Sequence, residues 1–172
     1  VKVRRLFLRD YAFVRDCMLH ADVFPFIHDD GTGDENAFAR MLLSVVDNDA
    51  FIFLSPGPGC VFMLSPTFSG VYTVHTAVKP EYRGRTAIEY GKAAIGKFFE
   101  KQDHIKLISF VPGCNRRAKI FALKCGFRTE GTLRKSWKQG GIVYNVDIVG
   151  LTRQEWELCQ QQQCPSRLGL VV

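Results

Sequence analysis

The residues best equipped for chemistry fall in two short segments. In VKPEYRGRTAIEYGKAA, starting at Val78, a strand ends, a loop carrying Arg and Gly follows, and a helix begins. A helix start presents unpaired backbone N–H groups and a partial positive charge, which together suit a pyrophosphate. Gly84 lets the backbone approach a ligand closely, and Arg83 and Arg85 add charge. A capped surface helix would show the same residues. In VPGCNRRAKIFALKCGF, starting at Val111, a strand ends in a Pro-Gly turn and Asn115 leads a second helix. Parallel strands that splay at their carboxyl ends open a crevice in which ligands bind, and Asn115 stands at such a mouth. It is equally a plain N-cap, and one side chain can serve both roles.

Other groups have a chemical and an ordinary meaning. His75 lies on a central strand and an imidazole titrates near neutrality, yet a satisfied core histidine is the commoner case. Tyr72, three residues earlier, faces the other side of that strand. Cys114 has no basic partner to activate it, so a structural thiol is the simpler account. His28 sits beside Asp29 and Asp30 but has no second histidine at metal-binding spacing, and no metal site is expected. Asp29, Asp30, Asp34 and Glu35 could attract a cationic amine and accept its proton, or could form a solvated loop in which Asp34 caps a helix. Arg116, Arg117, Lys119 and Lys124 could meet a phosphate or form a solvated helix face.

The elements that must position these residues follow from hydrophobic spacing. Val3–Leu8 reads as a strand, and Tyr11, Val14, Cys17 and Met18 mark one face of a helix. After the loop HDDGTGDEN, Phe38, Met41, Leu42 and Val45 repeat at helical spacing. Ala50–Leu54 and Cys60–Leu64 flank Pro56-Gly57-Pro58-Gly59 as a hairpin, and Val71–Val78 is a third strand. Thr86 is the expected cap of a helix that buries Ile88, Gly91, Ile95, Phe98 and Phe99. His104–Val111 is a strand, and the helix after Asn115 closes at Gly126. Thr129–Trp137 and Ile142–Leu151 form a last hairpin. The order is β-α-α-β-β-β-α-β-α-β-β, an α/β fold with a mixed (α+β) sheet, helices on both faces and one parallel crossover between Val71 and Val111. Residues 1–156 are expected to form a single domain, and residues 157–172 a Gln-rich tail, flexible or packed on a partner.

Composition bounds the remaining options. The chain has 172 residues, of which 47% are hydrophobic and 23% charged, ordinary proportions for one globular domain. No apolar run reaches 18 residues, and the N-terminus lacks the pattern of a signal peptide, so no membrane association is expected. The six cysteines form no CxxC, which favours a reducing cytoplasm, with a Cys159–Cys164 bridge as the only candidate disulfide. The net charge of +6 is polarised: residues 21–50 hold seven acids and one base, residues 106–138 nine bases and one acid. A nucleic-acid binder explains the second block but not the first, and aromatics do not interleave with its bases. A polyanionic cofactor at one end and a cationic substrate at the other explains both.

Together the two segments resemble the GNAT superfamily, the GCN5-related N-acyltransferases. Pro80-Glu81-Tyr82-Arg83-Gly84 before a helix is similar to the family's pyrophosphate loop. Asn115, Ala118, Gly126 and Phe127 are similar to its second cofactor motif. The run from Glu130 to Trp137, continued by Val146 through Trp156, resembles the branch that acetylates ribosomal-protein N-termini and small amines. The likeness covers about Val71 to Trp156, and the element order extends it to all but the tail. It implies acetyl-CoA as co-substrate and direct attack of a primary amine, peptide or small molecule, on the thioester. It implies that Arg85, Thr86, Ala87 and Ile88 hold the pyrophosphate through backbone N–H groups, that Ala77 and Val78 pair with the pantetheine arm, and that Asn115 hydrogen-bonds that arm. The acidic loop would line the acceptor entrance, leaving His75, Asp29 and Asp30 as acid/base candidates. A homodimer is open, with the apolar end Leu168–Val172 able to swap onto a neighbour.

Two departures from the family pattern are visible. The loop usually reads R-G-x-G-x-G/A, whereas Thr86 and Ile88 stand at the glycine positions here. The family often carries a Tyr seven residues after the Asn as acid to the leaving thiolate, and here that residue is Ala122. The alternative function is therefore a weak or inactive module of the same fold that binds an acyl-CoA or a protein partner.

Overall fold

A computed structural model describes residues 1–162. Among them, seven strands form one sheet in the order β1-β2-β3-β4-β5-β7-β6. The elements are β1 (Arg4–Leu6), α1 (Tyr11–Met18), α2 (Glu35–Val46), β2 (Ile52–Gly57), β3 (Cys60–Phe68), β4 (Val71–Val78), α3 (Arg85–Phe99), β5 (Lys106–Pro112), α4 (Arg116–Lys124), β6 (Arg128–Gln139), β7 (Ile142–Thr152) and α5 (Arg153–Gln162). This is the expected mixed order with one helix added at the end. Cys164, and with it the candidate bridge to Cys159, and the apolar end Leu168–Val172 lie outside the described residues. No described helix is long and apolar enough to cross a membrane.

Period-two alternation divides the buried residues between two cores, one on each face of the sheet. Leu54, Phe62, Leu64 and Val74 pack with Ile95, Phe98 and Phe99 of α3, Ala122 of α4 and the half-buried Trp156 of α5. Phe53, Val61 and Ala77 point the other way, onto Val14 and Met18 of α1 and Leu42 of α2. Each fully buried Leu or Phe contributes roughly 1.5–3 kcal/mol. The two faces therefore hold the helices in place before any polar contact is counted.

Helix ends follow their local chemistry. Asp34 caps α2 by accepting from the N–H of Ala37 at 2.8 Å, and Asn115 caps α4 by accepting from Ala118 at 3.1 Å. The cap of α3 is not Thr86. The helix already includes it, and Gly84 takes the cap position at φ +77°, ψ −132°. A side chain resists that backbone conformation, so the glycine sets where the helix begins. Further along α3, Gly91 is held against α4. A Cβ there would lie 2.5 Å from Cys125 Sγ and 2.9 Å from Phe121 Cζ, so only glycine permits this approach of the two helices.

The strands β4 and β5 run parallel but pair over only three positions, Val71 with Lys106, Tyr72 with Leu107 and Thr73 with Ile108. Beyond Thr73 the edge of β4 facing β5 carries no partner strand among the described residues, while β5 continues to pair with β7 as far as Pro112. A wedge-shaped gap therefore opens toward the carboxyl ends of the two central strands.

Candidate active site

The gap leads into a groove of about 600 Å³ between the first turns of α3 and α4, lined by Val78, Arg83, Gly84, Ala87, Ile88, Asn115, Arg116, Arg117 and Lys124, among others. A second cavity of about 160 Å³ lies within the wedge itself and shares Thr76, Asn115, Ala118 and Phe121 with the groove. Its polar members include His75, Ser109 and Trp137.

Most residues singled out from the sequence meet here, with different duties. The N–H groups of Arg85, Thr86 and Ala87 occupy the first turn of α3, where a helix offers them no acceptor. Ile88 differs, since its N–H already donates to Gly84 O at 3.3 Å. The Ile88 side chain is half-buried against the α3-side core, and the groove stays open beside it. Arg83 is engaged with protein, donating from Nη2 to Asp22 O at 2.6 Å and from Nε to Val78 O at 3.3 Å. It thereby ties the end of β4 to the loop after α1. Arg85 is almost fully exposed and pairs with Glu89 one turn along the helix. Ala77 is buried beneath the sheet, while Val78 borders the groove. Of the basic stretch, Arg116, Arg117 and Lys124 face the groove, whereas Lys119 pairs with Asp147 of β7 at 2.8 Å.

His75 sits in the wedge, not in the core; the buried core histidine is His104, whose Nδ1 lies 2.8 Å from Phe98 O. His75 is exposed as a residue, yet the surrounding protein desolvates its ring and lowers its pKa below the ordinary imidazole value. A neutral ring at physiological pH can accept a proton.

The acidic loop is knotted rather than loose. Asp29 Oδ1 accepts from Thr32 Oγ1 at 2.7 Å and from Gly31 N–H at 3.1 Å. Asp30 accepts from the N–H groups of Gly140 and Gly141 at the turn between β6 and β7, and those bonds hold its carboxyl below the usual range. Its own N–H donates to Lys138 O at 2.9 Å. Gln139 adds hydrogen bonds from Nε2 to Pro25 O and His28 O, and Asn115 Nδ2 reaches Phe26 O at 3.5 Å. The loop after α1 is thus fastened across the wedge to the hairpin tip. His28 is occupied within this roof, stacked on Phe24 at 4.1 Å with Nδ1 2.6 Å from Phe24 O. Cys114 contacts Gln139 Oε1 at 3.5 Å. No group of three or more metal-ligating side chains occurs among the described residues.

Three contributors escaped sequence reasoning. Ser109 lies in an apolar strand run, and Phe26 in a loop. The third, Trp137, lines the wedge, and its buried Nε1–H finds no acceptor among the described residues. A lone Trp in a polar hairpin was the single available hint. Ala122 lines the same cavity, so no phenol projects there from α4.

No protein-family model matches the sequence, and no curated protein matches it. Solved structures match at the level of fold. A spermidine N-acetyltransferase from Vibrio cholerae, in complex with CoA and spermine, superposes with a TM-score of 0.71 at 14% identity, covering 91% of this chain and 97% of that one. A GNAT-family acetyltransferase from Bacillus anthracis gives 0.68 at 16% identity, covering 88% and 94%. A ribosomal-protein-S5-alanine acetyltransferase from Vibrio fischeri gives 0.68 at 13% identity, covering 90% and 93%. The wedge between β4 and β5, the glycine-led start of α3 and these superpositions define the fold as that of the GNAT acetyltransferases.

Proposed function

We propose that the protein is an acyl-CoA-dependent N-acyltransferase acting on a primary amine. The observation that carries this reading is the unpaired edge of β4 beyond Thr73, opening directly onto the free N–H groups of Arg85, Thr86 and Ala87. An extended pantetheine arm would lie along that edge like an added strand, with Asn115 beside it. The diphosphate would accept from the three amides, favoured by the helix dipole. Arg116, Arg117 and Lys124 would supply positive charge around the 3′-phosphate.

In the reaction the amine nitrogen bonds to the thioester carbon and the C–S bond breaks. The proton lost by nitrogen passes to His75, directly or through water, and the thiolate leaves as CoA. A CoA thiolate is a weak base, so the missing phenol at Ala122 need not abolish turnover. The Trp137 indole N–H, buried and unpaired, is placed to donate to an oxygen in the wedge. Asp30 acts here through its charge. Its lowered pKa keeps it anionic, and with Asp29 it draws a cationic amine toward the roof. The spermine bound in the Vibrio cholerae structure is an amine of that kind.

A second reading is favoured by Ala122 alone: a module that binds acyl-CoA without turnover. Thermal stabilisation by millimolar acetyl-CoA tests the binding shared by both. Thiol release across amines that include spermine and an alanine-led peptide separates them. Stabilisation with no thiol release would leave only the binding module, and no stabilisation would defeat both.

A further inference from the structure

A close-packed interior leaves few voids larger than a water molecule. The 160 Å³ cavity in the wedge is several times that size, and its inner walls are apolar. Where β4 and β5 are about to separate, it is bounded by Val74, Leu107 and Ile95, with the small side chains of Ala94 and Ala122 behind. Of its polar groups, Thr76 and Asn115 lie where it joins the cofactor groove, and His75, Ser109 and Trp137 stand elsewhere on its lining. With the pantetheine arm entering from the groove end, an acetyl methyl would leave the inner apolar end beside Val74 and Leu107 unfilled. For scale, an enclosed apolar cavity of about 150 Å³ accepts a six-carbon hydrocarbon such as benzene.

We infer that the acyl group this chain takes is longer than acetyl, a short aliphatic chain of about four to six carbons whose tail lies in the wedge cavity. The inference rests on the proposed acyl-CoA reading and adds the substrate class. Ala122 is the determinant: an aromatic or branched side chain at that position would fill the space, whereas alanine leaves it to the ligand. The bonds made and broken do not change with chain length. The amine nitrogen takes the acyl carbon, the C–S bond breaks, the amine's proton passes to His75, and CoA leaves as the thiolate.

Calorimetric dissociation constants for acetyl-, butyryl-, hexanoyl- and dodecanoyl-CoA, measured without an amine, test this directly. Each buried methylene is worth roughly fourfold in affinity at best. Hexanoyl-CoA should therefore bind at least about tenfold tighter than acetyl-CoA, with little further gain at twelve carbons once the cavity is full. The gain should vanish in Ala122→Leu. Where that variant fails to melt cooperatively, Ala94→Val provides the same obstruction from α3. Flat or falling affinity from two to six carbons, with acetyl-CoA still bound, would overturn the inference and leave the transferase reading standing. Binding of none of the four would remove both. A gain that persists in a folded Ala122→Leu protein would refute the cavity as the place where the tail lies.

Discussion

Gly140 donates its backbone N–H to Asp30 Oδ1 at 2.8 Å, a bond between residues 110 positions apart in the chain. With the Gly141 bond to Oδ2, it fastens the loop after α1 to the tip of the β6–β7 hairpin. Phe26 and Ile27, just before the anchored residue, line both the groove and the wedge. The carboxylate therefore holds the loop that roofs the wedge.

Replacing Asp30 tests that role. Asp30→Ala should raise KM for the amine by about five- to tenfold, the cost of one or two hydrogen bonds, with kcat changed less than about twofold. Asp30→Asn keeps one accepting oxygen and should fall between. A loss of kcat shared by both variants would instead make Asp30 a base. Initial rates of thiol release decide.

At the start of α3 the conformation is the constraint, not the space. A Cβ on Gly84 would meet nothing within 4 Å, yet φ is +77°. Gly84→Ala should cost roughly 1–3 kcal/mol of strain or shift the first turn and weaken acyl-CoA binding tenfold or more. Gly131→Ala, also in open space and without positive φ, is the matched control. Calorimetry with acetyl-CoA and a melting curve for each variant measure the two effects.

Burial lowers the pKa of His75, so the ring remains neutral somewhat below pH 6.5. The acid limb of kcat/KM should accordingly lie below that value, and His75→Gln should reduce kcat by about a hundredfold or more. The sign for stability follows from the same shift. The unfolded chain binds this proton first, so the stabilisation is complete above about pH 6.5 and declines as pH falls from there toward the folded-state pKa. Rate profiles and melts between pH 5 and 8 report both.

Two glycines of α3 should respond in opposite directions. Gly91→Ala drives a methyl into Cys125 and Phe121 and should destabilise by roughly 1–3 kcal/mol. Gly96→Ala has its nearest neighbour, Trp156 Cζ2, at 4.0 Å and should stabilise by up to about 1 kcal/mol through helix propensity. Chemical denaturation of the pair separates close approach from backbone entropy.

Thiol reactivity should sort by burial. Desolvation pushes Cys17 up to about 11 and Cys125 up to about 12, and raises Cys60 further. At pH 8 these three should resist a thiol reagent until the protein unfolds, while exposed Cys159 and half-buried Cys114 react in the native state. Mass mapping of labelled peptides before and after denaturation checks the order.

Local chemistry was legible wherever a residue acts on its own neighbourhood. Apolar spacing placed α1, α2 and β4, and the caps at Asp34 and Asn115 form as their residue types dictate. The cap of α3 was misplaced by two residues. A threonine is a good cap in isolation, but the chain leaving β4 must turn sharply there, and only glycine takes that conformation. The exposed starts of α3 and α4 were readable because a helix start needs nothing distant to expose its amides.

The sequence by itself determined the order of elements, their polarity and the crossover between β4 and β5, because propensity and periodicity act over a few residues. Only the tertiary structure decided that those two strands part after three rungs, that His75 faces the opening while His104 is buried, and that Asp30 grips the distant Gly140. Those outcomes depend on contacts between segments tens of residues apart. No local pattern encodes them, since which strand a side chain faces is settled only when both faces of the sheet have packed.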